Sequence, residues 1–238
     1  MMLERGSAPV ESSVEGTIVE HENRLGIDDP QTLTEEGERI AKFRALELYD
    51  SEDFDLMETG TYQCLSLIHR YLLDEVFESA GEVRTANVSD SEVPFIPILF
   101  LRTAMVRIST MPQSTFEQIL EKHVEMYLAH PFVFGGGLAM RIWLDAMLKR
   151  ELSCVVDWRK IDGDAYNSAM VESPENSSKI AALLKDALTD AVDDRQVRMA
   201  AIDASFAYDG FNMLKVEDIA EDPRFATEDV VAEGDETA

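Results

Sequence analysis

Cysteine is scarce in this chain: two in 238 residues, Cys64 and Cys154, each inside an apolar stretch. That count argues against a disulfide framework or a cysteine-based metal cluster, and both thiols read as buried and free. Basic residues are scarce as well. Lys and Arg number 21 against 47 Asp and Glu, a formal net charge of -26. A field of that sign repels phosphate backbones and anionic headgroups, so neither nucleic acid nor a membrane surface is expected as a partner. No stretch reaches the ~18 apolar residues of a membrane span. The N-terminal residues Met1 to Gly16 hold acids and no continuous apolar run. That is not a secretory signal, and cytoplasmic placement is the expectation.

Apolar residues are plentiful, at 45% of the chain, which suits a globular domain with a substantial core. Residues 1–30 are rich in Ser, Glu, Gly and Asp without periodicity and read as a loose arm. Residues 217–238 are acidic and read as a solvated tail. The domain between them, residues 31–216, reads as helical almost throughout.

Thr32-Leu33-Thr34-Glu35 has capping-box spacing ahead of Ile40, Phe43, Leu46 and Leu48. A second helix is predicted from Tyr62 to Ser79, ending at Gly81. A second capping box, Ser114-Thr115-Phe116-Glu117, opens a helix with Phe116, Ile119, Leu120, His123 and Tyr127 on its apolar face. After a loop from His130 to Gly137, Met140, Trp143, Leu144, Met147 and Leu148 fall on one side of another helix. Three more helices are predicted near 163–171, 176–188 and 193–204. The exception is Ala86 to Pro97, whose Val, Pro and Phe residues suggest a short hairpin confined to an edge by Pro94 and Pro97. The fold class is all-α with one small β flap.

The chemistry concentrates in His130-Pro131-Phe132-Val133-Phe134-Gly135-Gly136-Gly137-Leu138-Ala139-Met140-Arg141. Three successive glycines at a helix N-terminus free backbone N–H groups to wrap an anion, and the helix dipole favours it. His130 can transfer a proton near neutral pH, and Arg141, one turn into the helix, can reach a second phosphate. Together these suggest nucleotide or phosphoryl chemistry. The same glycines also suit an ordinary turn, and the residues alone do not choose.

The segment resembles the Fic-family signature His-Pro-Phe-x-(Asp/Glu)-Gly-Asn-Gly-Arg-x-x-Arg. Leu67 to Leu72, Val76 to Thr85, Met111-Pro112, Lys122 to Ala129, Arg141 to Asp145, Val155 to Trp158 and Leu188 to Asp190 follow in family-like order, over roughly residues 20 to 218. The resemblance implies a Fic-type helical bundle and transfer of AMP from ATP, with Mg²⁺, to a hydroxyl of a target protein. His130 matches the family's general base, and Gly135, Gly136, Gly137 and Arg141 its phosphate-binding groups. The flap, about Ala86 to Phe100, would align the target segment. Ser205-Phe206-Ala207-Tyr208-Asp209-Gly210 resembles the inhibitory Ser-x-x-x-Glu-Gly motif, which implies that Ser205, Asp209 and Gly210 close the site by pairing Asp209 with Arg141. Self-inhibited relatives associate, so a homo-oligomer is a further expectation, with His69 or the arms at the contact.

Several positions depart from the pattern. Phe134 stands where the metal carboxylate belongs, and a phenyl ring cannot ligate Mg²⁺. Gly136 replaces the Asn and Leu138 the first Arg, which removes a charge-assisted phosphate contact. Glu172 lies where relatives carry a basic residue and is expected to discourage an anion. The resemblance therefore implies an adenylyltransferase impaired in its signature loop, or a catalytically silent module for interaction or regulation. If the lesion is confined to the loop, Phe134→Glu, Gly136→Asn and Leu138→Arg together should return nucleotide binding.

Overall fold

The computed structural model describes residues 23–88 and 93–225. In chain order the helices are α1 (Pro30–Asp50), α2 (Glu52–Leu56), α3 (Tyr62–Leu73), α4 (Ile98–Ser109), α5 (Phe116–Ala129) and α6 (Gly136–Leu152). Strand β1 (Val155–Val156) follows, then α7 (Gly163–Glu172), α8 (Ser178–Ala187), β2 (Leu188–Thr189), α9 (Arg195–Ala207) and α10 (Val216–Ala220). The all-α expectation holds.

Local chemistry sets the helix ends. α1 begins one turn ahead of the Thr32 box: Asp29 is its cap, accepting from Thr32 N at 2.8 Å, with Pro30 in the first turn. In α5 the box lies one residue later than read. Thr115 accepts from Gln118 N at 3.3 Å, and Gln118 Oε1 accepts from Ser114 N at 2.9 Å. α3 stops at Leu73, short of Ser79, and the chain turns through Val76 to Gly81, where φ reaches 80°.

The centre of the domain is α6. Residues 138–148 are buried without a break, Arg141 and Asp145 included, so the helix is covered on every side and not on one face as its spacing suggested. It packs against α3, α5, β1 and α9, with α1 beyond. Asp145 is satisfied inside the core, accepting from Tyr49 Oη, Val156 N and Trp158 Nε1 at 2.9–3.0 Å.

The hairpin expected over 86–97 is corrected. Its described residues carry no strand, and residues 89–92 lie outside the described set. Pro94 and Pro97 bring no N–H to a ladder, and the bonds of the described residues nearby do not build one. Ile96 N donates to Leu128 O at 2.9 Å, and Ile98 N to Asn87 Oδ1 at 2.8 Å. Among the described residues the only sheet joins β1 to β2, antiparallel, with Val155 opposite Thr189.

The two ends of the chain are also tied down where they are described. Arg24 N donates to Val76 O at 2.9 Å. Val216 and Ile219 of α10, at the edge of the expected tail, are buried. Inside α1, Lys42 and Glu38 form a fully buried pair at 2.9 Å. Glu38 accepts from Met213 N and Leu214 N, and Lys42 donates to Asp203 and Leu214 O. That knot fixes the chain after α9 against α1, and with it the register of α9. The rest of the expected arm and tail, residues 1–22 and 226–238, lies outside the described residues. Among the described residues no helix is long and apolar enough to cross a membrane.

Candidate active site

α5 ends on His130, whose φ of 43° is left-handed and uncommon for a residue with a side chain. Pro131 then forbids another helical turn. Phe132 is buried and stacks on His69 with ring centres 3.9 Å apart. His69 fixes the loop further along. Its Nδ1 accepts from Gly81 N at 2.8 Å, so its Nε2–H is the donor to Phe134 O at 2.9 Å. The imidazole is 2% exposed, which removes His69 from any contact between copies of the chain.

The Phe134 ring packs edge-on against Phe77 at 4.2 Å. A residue that would hold a metal in the resembling family serves here as an apolar anchor for the loop. Among the described residues there is no group of three His, Cys, Asp or Glu side chains suited to a metal ion. The Phe134 side chain itself offers no oxygen to Mg²⁺.

Gly135 turns the chain into α6 at φ 65°, and a Cβ there would meet Leu73 Cδ1 at 2.7 Å. α6 starts without a side-chain cap, so its first N–H groups are offered to whatever lies ahead. Asp209 lies beside this first turn. A Cβ on Gly137 would stand 2.8 and 2.9 Å from the two Asp209 carboxylate oxygens. Arg141 reaches the carboxylate from the next turn: Nη2 donates to Asp209 Oδ2, and Nε donates to Ser205 Oγ at 2.7 Å. Burial pulls the Arg141 pKa down most, and the Asp209 charge and hydrogen bond together with Tyr166 and Tyr208 outweigh it, leaving the guanidinium above its ordinary value. Tyr208 lies under the same guanidinium at 5.3 Å. Gly210 follows in a left-handed turn, φ 85°.

His130, Gly136, Gly137, Arg141 and Asp209 thus line one cavity of about 110 Å³. Gly135, Ser205 and Gly210 shape it from behind and are not on its wall. Glu172 is not on the wall either. It pairs with Lys179 at 2.9 Å on the surface, so it cannot repel an anion in the cavity as expected. Among the other wall residues, Phe95, His123, Tyr127, Tyr166, Asn167 and Met170 were not anticipated as site residues. His123 and Tyr127 stand at i and i+4 on one face of α5, with His130 just past its end, and that spacing was the available signal. Cys64 is buried and Cys154 half-buried, both free and away from the cavity.

Burial holds two histidines neutral. His69 is pushed down to about 4, and His123, desolvated and beside the Arg141 charge, to about 3. The unfolded chain protonates both near 6.5, so stability present at pH 7 is lost as pH falls from there towards 4. Asp145 opposes this. Burial pushes it up to about 6, so acidification between 6 and 3.8 adds stability. Two groups against one leave a net loss of about 2–3 kcal/mol from pH 7 to pH 5. Urea midpoints at the two pH values should show that loss, and His123→Gln should cut it by about half or more. Parallel pH profiles for the two proteins would mean that His123 does not contribute.

The helical arrangement is that of Fic domains. The AMPPNP-bound BepC effector of Bartonella tribocorum matches with a TM-score of 0.59 at 20% identity, over 71% of this chain and 91% of that one. An ADP-bound N-terminal Fic domain from Bartonella quintana matches with a TM-score of 0.59 at 18% identity, over 71% and 90%. By sequence the chain is similar to two proteins described as probable protein adenylyltransferase Fic. The Salmonella typhimurium protein is 23% identical over 181 residues, 71% of this chain and 88% of the relative. The Escherichia coli K12 protein is 25% identical over 158 residues, 62% and 76%. No protein-family model matches the chain.

Proposed function

We propose that this chain is a Fic-family protein whose adenylyl-transfer site is held closed by Asp209 and strongly impaired by its altered loop. The observation that carries the reading is the Asp209 carboxylate seated over Gly137 and bonded to Arg141. An acid has taken the place that suits a phosphate. At about 110 Å³ the cavity is well below the ~300 Å³ at which ligand pockets begin, so a nucleotide requires Asp209 to leave. With Asp209 displaced, the amides of Gly136 and Gly137 and the Arg141 guanidinium would hold the phosphates. Gly136 leaves room, since a Cβ there meets nothing nearer than Phe132 at 3.9 Å. His130 would take the proton of an incoming hydroxyl. Target protein would be presented along the segment 86–100. Phe134 supplies no oxygen for Mg²⁺ and Leu138 no charge for a phosphate, which is why transfer is expected to be slow. A silent module is the second reading, favoured by the packing of Phe134 onto Phe77.

Calorimetric titration of ATP, with and without Mg²⁺, into the wild type and Asp209→Gly separates the two. The expected result is binding at least about tenfold tighter in the variant, the equivalent of one charge-assisted contact, with little dependence on Mg²⁺. Absence of binding in both proteins would discard the enzyme-like reading and leave the silent module.

A further inference from the structure

Arg84 is 3% exposed, yet its described partners are all backbone carbonyls. Nε donates to His130 O at 2.8 Å and Nη1 to Ala86 O at 2.7 Å. Nη2 is shared between Ile96 O and Ala129 O, the latter at 3.3 Å. The backbone N–H of Arg84 adds a bond to Pro131 O at 2.8 Å. One residue therefore joins three pieces of chain: the C-terminus of α5, and the two limbs that lead into and out of residues 89–92.

The end of a helix leaves carbonyls without partners and carries the negative end of its dipole, so a cation is favoured there. A guanidinium is suited to the task because its five N–H groups lie in one rigid fork and can serve carbonyls from several directions. The carbonyls on either side of the His130–Pro131 peptide are both held, which pins His130 in its left-handed conformation. Next to Ile96, whose carbonyl Arg84 holds, Phe95 lies flat against the His130 ring at 4.2 Å with an interplanar angle of 28°. Phe95 also meets Tyr127 edge-on at 6.0 Å. His130 is thus set from behind by Arg84 and from in front by a ring that Arg84 also helps to hold.

We infer that Arg84 is a positioning residue that couples the limbs 86–88 and 93–97 to His130, so that what docks on those limbs and how the imidazole is aimed form a single state. This rests on the reading of His130 as proton acceptor and of the limbs as the target's track. Its test uses neither nucleotide nor target, so it can fail while that reading stands, and the reverse.

The experiment is amide hydrogen exchange on the full chain together with NMR titration of the His130 ring, in the wild type, Arg84→Lys and Asn87→Ala. Lysine keeps the charge at one point and cannot span the four carbonyls, so it is expected to fold where a neutral residue would not. In Arg84→Lys the amides of Phe95 and Ile96 should exchange about tenfold faster or more, the loss of about one net hydrogen bond. The His130 ring should lose its ring-current shift from Phe95 and titrate at a different pH, while Trp143 and Leu144 in α6 exchange as before. Asn87→Ala cuts the bond to Ile98 N without touching the fork, so it should loosen Ile98 and leave the His130 titration unmoved. An unchanged His130 titration in Arg84→Lys would overturn the coupling. So would uniformly faster exchange across the chain, which would make Arg84 a general stabiliser only.

Discussion

Leu138→Arg should destabilise the protein by about 4 kcal/mol, enough to shift a urea midpoint by more than 1 M. Leu138 is 0% exposed, in the first turns of the one helix that is covered on every side. A guanidinium there leaves water for the core, and a buried charge without a partner costs about 3–5 kcal/mol. Arg141 stands three residues on along the same helix, so the nearest charge in sequence is repulsive. The other two reversions should behave differently. Phe134→Glu gives up the packing on Phe77, about 2–3 kcal/mol. Gly136→Asn should change stability by no more than about 1 kcal/mol, because nothing lies nearer to its Cβ than 3.9 Å. The order Leu138→Arg, Phe134→Glu, Gly136→Asn is the expected ranking of urea midpoints from lowest to highest. The expectation runs against the simple idea of a lesion confined to the loop: with Leu138 buried in the core, the triple substitution should lose the fold before it gains a nucleotide. A Leu138→Arg protein with a native midpoint would restore the simpler idea.

The fold was legible wherever a residue's neighbours in space were also its neighbours along a helix. The spacing of Phe116, Ile119 and Leu120 gave α5, whereas the meeting of Ser205 and Asp209 with Arg141 was implied by the motif resemblance and not by any spacing. Periodicity reports amphipathicity, so it described α6 as one-sided when Arg141 and Asp145 complete its circumference. Each of those polar side chains is buried because of a partner distant in sequence, Asp209 for one and Trp158 with Tyr49 for the other. No local pattern carries that information. The 86–97 segment failed for a related reason. Its β-like composition is real, but the described backbone bonds of Ala86 and Ile96 run to Leu128 and Arg84 and form no ladder between its two limbs. In the site, residue types were readable and their states were not. Phe134 could be identified as unfit for a metal, whereas its use as an anchor on Phe77 required the packing of α3. Glu172 looked adverse in sequence and proved to face Lys179 on the surface.

The Arg141–Asp209 pair makes the second large prediction, and its two halves should not be equivalent. Arg141 is 2% exposed and Asp209 14%. Removing the carboxylate by Asp209→Asn leaves a buried guanidinium whose remaining described contacts are Ser205 Oγ and the rings of Tyr208 and Tyr166. In a buffer without multivalent anions that variant should lose about 3 kcal/mol, the lower part of the range for breaking a buried pair, because Asp209 lies nearer to water. It also leaves the first amides of α6 facing an emptier pocket of positive potential, which is an anion site. Added inorganic phosphate should therefore stabilise Asp209→Asn and scarcely affect the wild type. At about 100 times its Kd the gain would be about 2.7 kcal/mol, most of what the substitution removed. Arg141→Met is the contrasting case. It leaves Asp209 over the helix N-terminus, where a carboxylate is still favoured, so its loss should be smaller than that of a charge stranded alone. No anion should restore it, since the cation that would bind one is gone. Thermal unfolding of the three proteins across a phosphate series measures all of this at once. Equal phosphate gains in wild type and Asp209→Asn would mean that the carboxylate does not occupy the anion's place, and the closed-site reading would go with it. A gain confined to Asp209→Asn would make the acid an internal competitor for phosphate, whatever rate of transfer the altered loop still supports.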